Sequence, residues 1–460
     1  MSSREISPFL QGNYAPWRVE GDAPDLEVTG ELPRDLNGTF YRNGPNPAFA
    51  PAGRYHWFDG DGMIHAITLR EGRASYRNRW VQSAGLRDER AAGRALATSL
   101  LDLTPTEAPR FKNAANTNIV FHAGKLLALV ESSLPTQLVP CTLETLGEWD
   151  FGGALGGPMT AHPKMDPKTG EMLFFGYSPF PPYLVYHVCD ASGALVRSEP
   201  IDLPWPSMIH DFAITDDAVV FMLFPLVFSF ENIKERGGAF SWEPERGTRI
   251  TLVDRRTGER GASWRAEAGF CFHHVNAYEL GDEVIVDVCR FPDASIVDDL
   301  YLSNLRREGA SAAGAVARSY LHRYRLRPGS ADAVEQRLGD EPLELPRINY
   351  KAASERPYGY AWGVGICDGS PWLDQIVKVD VDSGEARVWR ELHCFPGEPV
   401  FVARPGAAAE DDGVLLSIVL DGLRERSMLL VLDAANLAEL ARAEVSHPIP
   451  YGFHGQFVRD

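Results

Sequence analysis

A short turn recurs along the chain and limits what the rest can become. Asp166-Pro167-Lys168-Thr169-Gly170-Glu171, Asp254-Arg255-Arg256-Thr257-Gly258-Glu259 and Asp380-Val381-Asp382-Ser383-Gly384-Glu385 share one pattern, and Asp190-Ala191-Ser192-Gly193 and Thr145-Leu146-Gly147-Glu148 read as worn copies. An aspartate that bonds its own backbone, followed by a glycine free to take positive φ, makes a tight hairpin between two strands. The flanking segments are short β-like runs, clearest at 126–130, 171–175, 218–223, 283–288, 375–379 and 414–420. One hairpin repeated along a chain implies radial repetition of four-stranded blades, so the expected fold is all-β, a β-propeller. Helical signal is sparse: 88–101 is rich in Ala, Arg and Glu, and 294–307 reads as a helix or an ordered loop. Such insertions predict a loop and helix cap over one propeller face. No linker interrupts 1–460, which reads as a single domain with an irregular arm over residues 1–20.

Composition removes several classes of function. With 44% hydrophobic and 10% aromatic residues the chain is globular. Its net charge of -18, with no block of Lys or Arg, argues against nucleic acid as a partner. Met1-Ser2-Ser3-Arg4-Glu5 opens no apolar signal segment. Six scattered cysteines with no CxxC predict reduced thiols in a cytoplasmic protein and no zinc–thiolate site. The most apolar run, 219–228, falls short of the roughly 20 residues a membrane-spanning helix needs. Its part from Phe221 to Phe228, with Phe230 beyond, has two readings. One is a buried propeller strand; the other is a tunnel mouth in peripheral contact with a membrane.

Chemistry gathers at histidines. In Phe272-His273-His274-Val275 two of them sit in an apolar strand, and neighbouring strand residues face opposite ways, so one of the pair can point inward. His162 in Met159-Thr160-Ala161-His162-Pro163, His210 in Met208-Ile209-His210-Asp211-Phe212 and His454 in Tyr451-Gly452-Phe453-His454-Gly455 share that apolar setting. His56, His65, His122, His187, His322, His393 and His447 lack it and read as surface or structural residues. Innermost strands of a propeller all point at one axis, so His162, His210, His273 and His454 are expected to converge on one iron. Imidazole alone does not choose among Fe(II), Cu and Zn. A ligating histidine usually gives its second ring N–H to a carboxylate or carbonyl, and Glu131, Glu344 and Glu398 lie in apolar contexts suited to that. The competing reading of each glutamate is a strand end or a salt bridge. Asp59-Gly60-Asp61-Gly62 lacks the remaining ligands of a calcium loop and reads as a tight turn. There is no G-x-S-x-G elbow, Walker A or Rossmann fingerprint.

At these residues the sequence closely resembles the carotenoid cleavage oxygenase family, which includes the stilbene-cleaving oxygenases and the retinoid isomerase of the visual cycle. The matching motifs, in order, include Asn43-Gly44-Pro45-Asn46-Pro47, Phe58-Asp59-Gly60-Asp61-Gly62-Met63, Asn116-Thr117-Asn118, Ala161-His162-Pro163-Lys164, His210-Asp211-Phe212-Ala213, Phe272-His273-His274-Val275-Asn276, Glu398-Pro399-Val400-Phe401 and Phe453-His454-Gly455. The resemblance implies a seven-bladed propeller with a capping dome, and Fe(II) on the axis held by His162, His210, His273 and His454, with His274 turned away. It pairs Glu131 with His210, Glu344 with His273 and Glu398 with His454, and leaves His162 without a carboxylate. It puts Thr117 against the open coordination position and Phe58 on the wall of the substrate tunnel.

The implied reaction is O2-dependent scission of a conjugated C=C bond into two carbonyl products, and it names no catalytic acid or base. The phenol-cleaving branch of the family typically carries Lys just before the first of the three glutamates; here that residue is Val130, which cannot bind a phenolate. A carotenoid or apocarotenoid is therefore the expected substrate. The alternative is a phenolic stilbene or phenylpropene cleaved to aromatic aldehydes. A second alternative, from another class, is a non-catalytic propeller that only holds a lipophilic ligand.

Overall fold

The aspartate–glycine turns close hairpins for a reason visible in the computed structural model. Asp166 Oδ1 accepts from the Lys168 and Thr169 amides, Asp254 Oδ1 from Arg256 and Thr257, Asp380 Oδ1 from Asp382 and Ser383, and Asp190 Oδ1 from Ser192 and Ala194. Each glycine that follows lies at positive φ, 74–90°, where a side chain would be strained. Local turn chemistry therefore fixes where strands reverse before any distant contact forms. Thr145–Glu148 is different. It is itself an edge strand paired with Thr136–Leu138, and the reversal lies upstream at Thr142–Leu143. It lacks the leading aspartate, so nothing caps a turn there.

The structure describes residues 15–51, 55–97, 99, 101, 111–301, 304, 316–370 and 372–460. Seven sheets of four to six strands form the blades of a seven-bladed propeller, and a separate hairpin pairs Leu226–Phe228 with Phe240–Trp242. The strands nearest the axis are, in blade order, Gly455–Arg459, Asn118–His122, Lys164–Met165, Ala213–Ile214, Phe270–Leu280, Glu344–Arg347 and Val400–Ala403. Two distant pairings close the ring. Glu27–Gly30 completes the seventh blade on Glu439–Val445, and Gly455–Arg459 completes the first on Gly38–Pro45. Apolar residues alternate inward on the blade strands and fill the gaps between neighbouring sheets.

The cap is built from short pieces. A helix spans Ala84–Ala92, with Ser83 Oγ accepting from the Leu86 amide at its start and Gly93 at φ 66° at its end. The expected helix over 88–101 thus begins earlier and stops at Gly93, because glycine at that position ends the ladder; residues 98 and 100 lie outside the described set. Ser295–Asp299 is a helical turn within the expected 294–307, most of whose remainder also lies outside. A third helix, Phe230–Arg236, follows the apolar run.

That run is mostly core. Val219 to Leu223 are buried in a strand, and Leu226 and Val227 are each 5% exposed. Exposure begins at Phe230, 60% accessible, which packs against the equally exposed Phe180. Of the two readings, the buried one holds from Phe221 to Val227, while Phe228 is half-buried and, with Phe230, lines the apolar cavity described below. A charge at Leu226 would be buried without a partner, so Leu226→Asp is expected to lower unfolding stability by more than about 3 kcal/mol. Phe230→Glu is expected to change it by less than about 0.5 kcal/mol. Urea unfolding midpoints of the two variants check the contrast.

Candidate metal centre and substrate tunnel

Each blade presents one residue near the start of its innermost strand. His454 immediately precedes the first blade's strand, Thr117 the second's, and His162 and His210 stand just before the third's and fourth's. His273 lies within the fifth, Glu344 begins the sixth, and Glu398 sits at a break in the seventh. That break separates Cys394–Pro396 from Val400–Ala403, both paired to Gly413–Asp421. Topology alone thus brings residues far apart in sequence to one axial point.

Local irregularity then aims them. Strand Phe270–Leu280 shifts register against its neighbour between Cys271 and His274, and again before Asn276. A bulge lets two successive side chains face one side, and Phe272 and His273 both line the same cavity. The paired His274 is left out of the cluster and is buried, its Nδ1 3.9 Å from Asp211. Leu345, beside Glu344, is held at φ 48°, the left-handed region costly to a branched residue.

The ligand atoms of His162, His210, His273 and His454 lie within 4.8 Å of one another, and all four residues are buried. His162 Nε2 is 2.9 Å from His210 Nε2, and His273 Nε2 is 3.2 Å from His454 Nε2. On the far side of three rings stands a carboxylate. His210 Nδ1 is 2.6 Å from Glu131, His273 Nδ1 is 2.5 Å from Glu344, and His454 Nδ1 is 2.7 Å from Glu398. His162 has no such partner among the described residues; its amide donates to Thr160 Oγ1.

These contacts fix the tautomers. A carboxylate can only accept, so each of the three Nδ1 atoms carries the proton and each Nε2 is a bare lone pair. His273 and His454 therefore aim two lone pairs at one another across 3.2 Å, which is repulsive unless a cation lies between. Two nitrogens bound at right angles about 2.1 Å from one ion stand about 3.0 Å apart, close to both observed separations. The residues fit a four-imidazole metal site.

Burial supports the neutral state of His162 and His454. It pushes His162 well below the usual histidine range, and the adjacent imidazoles push it further. It brings His454 down to about 4, although Glu398 pulls the other way. Burial would lower His273 too, but the charge of Glu344 outweighs it and the net shift is upward. Burial alone would raise Glu398; Arg347 and His454 instead hold it down at about 2.

Above the cluster lies a cavity of about 630 Å³ whose wall is overwhelmingly apolar. Phe58, Thr117, Val130, Phe272 and Phe453 line it near the four rings. Its outer part is walled by Phe111, Phe180, Phe228 and Phe230. Phe58 meets Phe272 and Phe453 edge-on, with centroids 5.8 and 5.4 Å apart. Below the cluster, along the propeller axis, a second cavity of about 420 Å³ has a mixed lining, with Lys164, Asp211, His274 and Arg347 set among apolar residues such as Val120 and Phe212.

Several residues with a part in this site carry no chemistry of their own, and the sequence reading quoted most of them only as motif letters. Asn43 Nδ2 donates to the carbonyls of Ala115 and Asn118, while its backbone pairs with Phe453 and His454. Asn116 Nδ2 donates to Phe58 and Gly60, and Asn118 Nδ2 to Ala161 beside His162. Asp211 accepts from the His274 amide and pairs with Lys164. Asp61, in the turn that resembled a calcium loop, is occupied by Lys112 and the Ala48 amide. Tyr177 and Arg347, which grip Glu131 and Glu398, lay outside every quoted motif.

A seven-bladed propeller with four imidazoles gathered on its axis, beneath an apolar tunnel, defines a class of metal-dependent enzymes acting on lipophilic substrates. Residues 14–459 match the family described as retinal pigment epithelial membrane protein, and the chain belongs to that family, the carotenoid cleavage oxygenases. It is 35% identical to the carotenoid 9,10(9',10')-cleavage dioxygenase 1 of Arabidopsis thaliana, over 98% of this chain and 90% of that protein. It is 33% identical to the isoeugenol monooxygenase of Pseudomonas nitroreducens, over 98% of both. The crystal structure of Pseudomonas brassicacearum lignostilbene dioxygenase superimposes with a TM-score of 0.89 at 30% identity, covering 98% of each chain.

Stability of the metal-free protein should follow the buried imidazoles. His454, His274 and His187 sit near 4 when folded, against 6.5 when unfolded. Unfolding therefore takes up protons between those limits, so their contribution is intact above pH 6.5 and is lost as pH falls toward 4. Unfolding midpoints of chelator-treated protein measured from pH 8 to 4 are expected to hold down to about pH 6.5 and then drop.

Proposed function

We propose that this protein is a non-haem iron dioxygenase that cleaves a conjugated C=C bond of a carotenoid or apocarotenoid with O2 to give two carbonyl products. The observation that carries the reading is the set of bare Nε2 atoms facing one point at the floor of an apolar tunnel. In this reading His162, His210, His273 and His454 hold Fe(II), and Glu131, Glu344 and Glu398 fix three of the rings. When bound, the iron supplies the O2 chemistry that closed-shell side chains cannot. The chain does the rest. The carboxylates hold each ring by its Nδ1 proton and raise its basicity. Phe58, Phe272 and Phe453 hold the alkene across the site and exclude water. Thr117, its hydroxyl turned to Asn116 Oδ1, limits the space beside the cluster. No side chain is needed as acid or base.

The polyene reading rests on Val130, which is buried and lines the tunnel beside Glu131 where a phenol would want a cation. A cavity of 630 Å³ lies within the roughly 300–1,000 Å³ of ordinary ligand sites and far exceeds what a single-ring phenylpropene fills. The phenolic alternative keeps its place because the isoeugenol and lignostilbene enzymes are relatives of similar identity. A propeller that merely stores a lipophilic ligand would have no use for four converging imidazoles. The exposed Phe111, Phe180 and Phe230 around the tunnel mouth support peripheral contact of a cytoplasmic protein with a membrane, from which such a substrate would be drawn. The pairing of both end strands into blades supports residues 1–460 acting as one domain.

Iron-loaded protein given 18O2 with an apocarotenal, a carotene, resveratrol and isoeugenol side by side should put label into aldehydes from the polyenes. Label only in aromatic aldehydes would transfer the protein to the phenolic branch, and no cleavage by iron-loaded protein would leave a binding protein. Val130→Lys is expected to lower polyene turnover at least about tenfold, since it sets a desolvated cation on the tunnel wall. The same product analysis reads that change.

A further inference from the structure

The three carboxylates behind the imidazoles are alike in role and unlike in surroundings. Each spends one oxygen on a histidine, and what touches the rest of the group differs in charge. Glu398 Oε2 accepts from the guanidinium of Arg347 at 2.7 Å and from the Gly455 amide at 2.9 Å. Glu131 Oε1 accepts from the neutral hydroxyl of Tyr177 at 2.8 Å. Glu344 Oε2 takes the Leu345 amide at 2.6 Å besides His273, and its buried Oε1 has no partner among the described residues.

A carboxylate that accepts an Nδ1 proton draws it outward and leaves more electron density on Nε2. A cation on the same carboxylate withdraws that density, and a neutral hydroxyl withdraws less. We propose that Arg347 and Tyr177 are positioning residues that grade the four imidazoles as donors to the metal, with His273 strongest, His210 next, His454 weaker and His162 unassisted. Unequal donors around one ion make its open positions unequal, so the grading selects where a small molecule binds. Arg347 also lines the second axial cavity, on the side of the cluster away from the tunnel.

The inference rests on the reading of the four histidines as iron ligands, and its test separates the two. Wild-type protein, Arg347→Gln, Arg347→Lys and Tyr177→Phe would be loaded with iron, and the ratio of ferric to ferrous protein measured at one fixed solution potential. Removing the Arg347 charge frees Glu398 to push on His454, which favours the ferric state; the ratio should rise about tenfold in Arg347→Gln, matching the size of effects seen when partners behind metal ligands are changed. Arg347→Lys should restore the wild-type ratio, and Tyr177→Phe should raise it by a smaller factor. Unchanged ratios in folded Arg347→Gln and Tyr177→Phe would overturn the grading. If Arg347→Gln does not fold, Tyr177→Phe decides alone, because loss of one hydroxyl leaves the side chain's packing intact. Failure of the wild-type protein to retain iron would remove the ligand reading and this inference together.

Discussion

Two imidazole lone pairs held 3.2 Å apart in a buried site repel, and much of this molecule is arranged to hold them there. The carboxylates prevent the simplest escape, in which one ring shifts its proton to Nε2 and donates to its neighbour. Glu344 and Glu398 keep the protons on Nδ1 of His273 and His454. The bulge in Phe270–Leu280 and the left-handed Leu345 are local irregularities that aim His273 and Glu344 at the cluster, and the asparagine ties around Thr117 brace the loops beside it. A cation held between the rings would turn mutual repulsion into shared attraction.

The two cavities on either side of the cluster divide the environment. Above, aromatic walls favour a long apolar ligand; below, Lys164, Asp211 and Arg347 bring charge into a space of mixed lining. The ring of histidines is the boundary between them. Replacing a cavity wall therefore has different consequences on each side, changing the shape of the apolar space above and the charge beside the imidazoles below.

How much of this could be read in the sequence follows from the range of each interaction. The Asp–Gly turns are local, and those led by aspartate were legible as hairpins; Thr145–Glu148 was misread because a lone glycine in an edge strand resembles a turn without its cap. The histidines stood out because an imidazole in an apolar strand is chemically unusual, and the motifs around them carry the family. Buried and exposed apolar residues look alike in one dimension, so Phe221–Phe228 could be placed only once Leu226 was seen inside and Phe230 outside. Tyr177 and Arg347 were invisible for a related reason. Each meets its glutamate across tens of positions, and neither has a distinctive neighbourhood in the chain.

The position of His454 has a consequence for how the protein is made. This ring directly precedes Gly455–Arg459, the strand that seals the first blade, and it follows every other blade strand in the sequence. During synthesis His162, His210 and His273 emerge early, but the fourth nitrogen and the ring closure arrive together and last. One short segment, following the strands of the last blade, therefore completes both the cluster of imidazoles and the ring of blades, so neither is finished without the other.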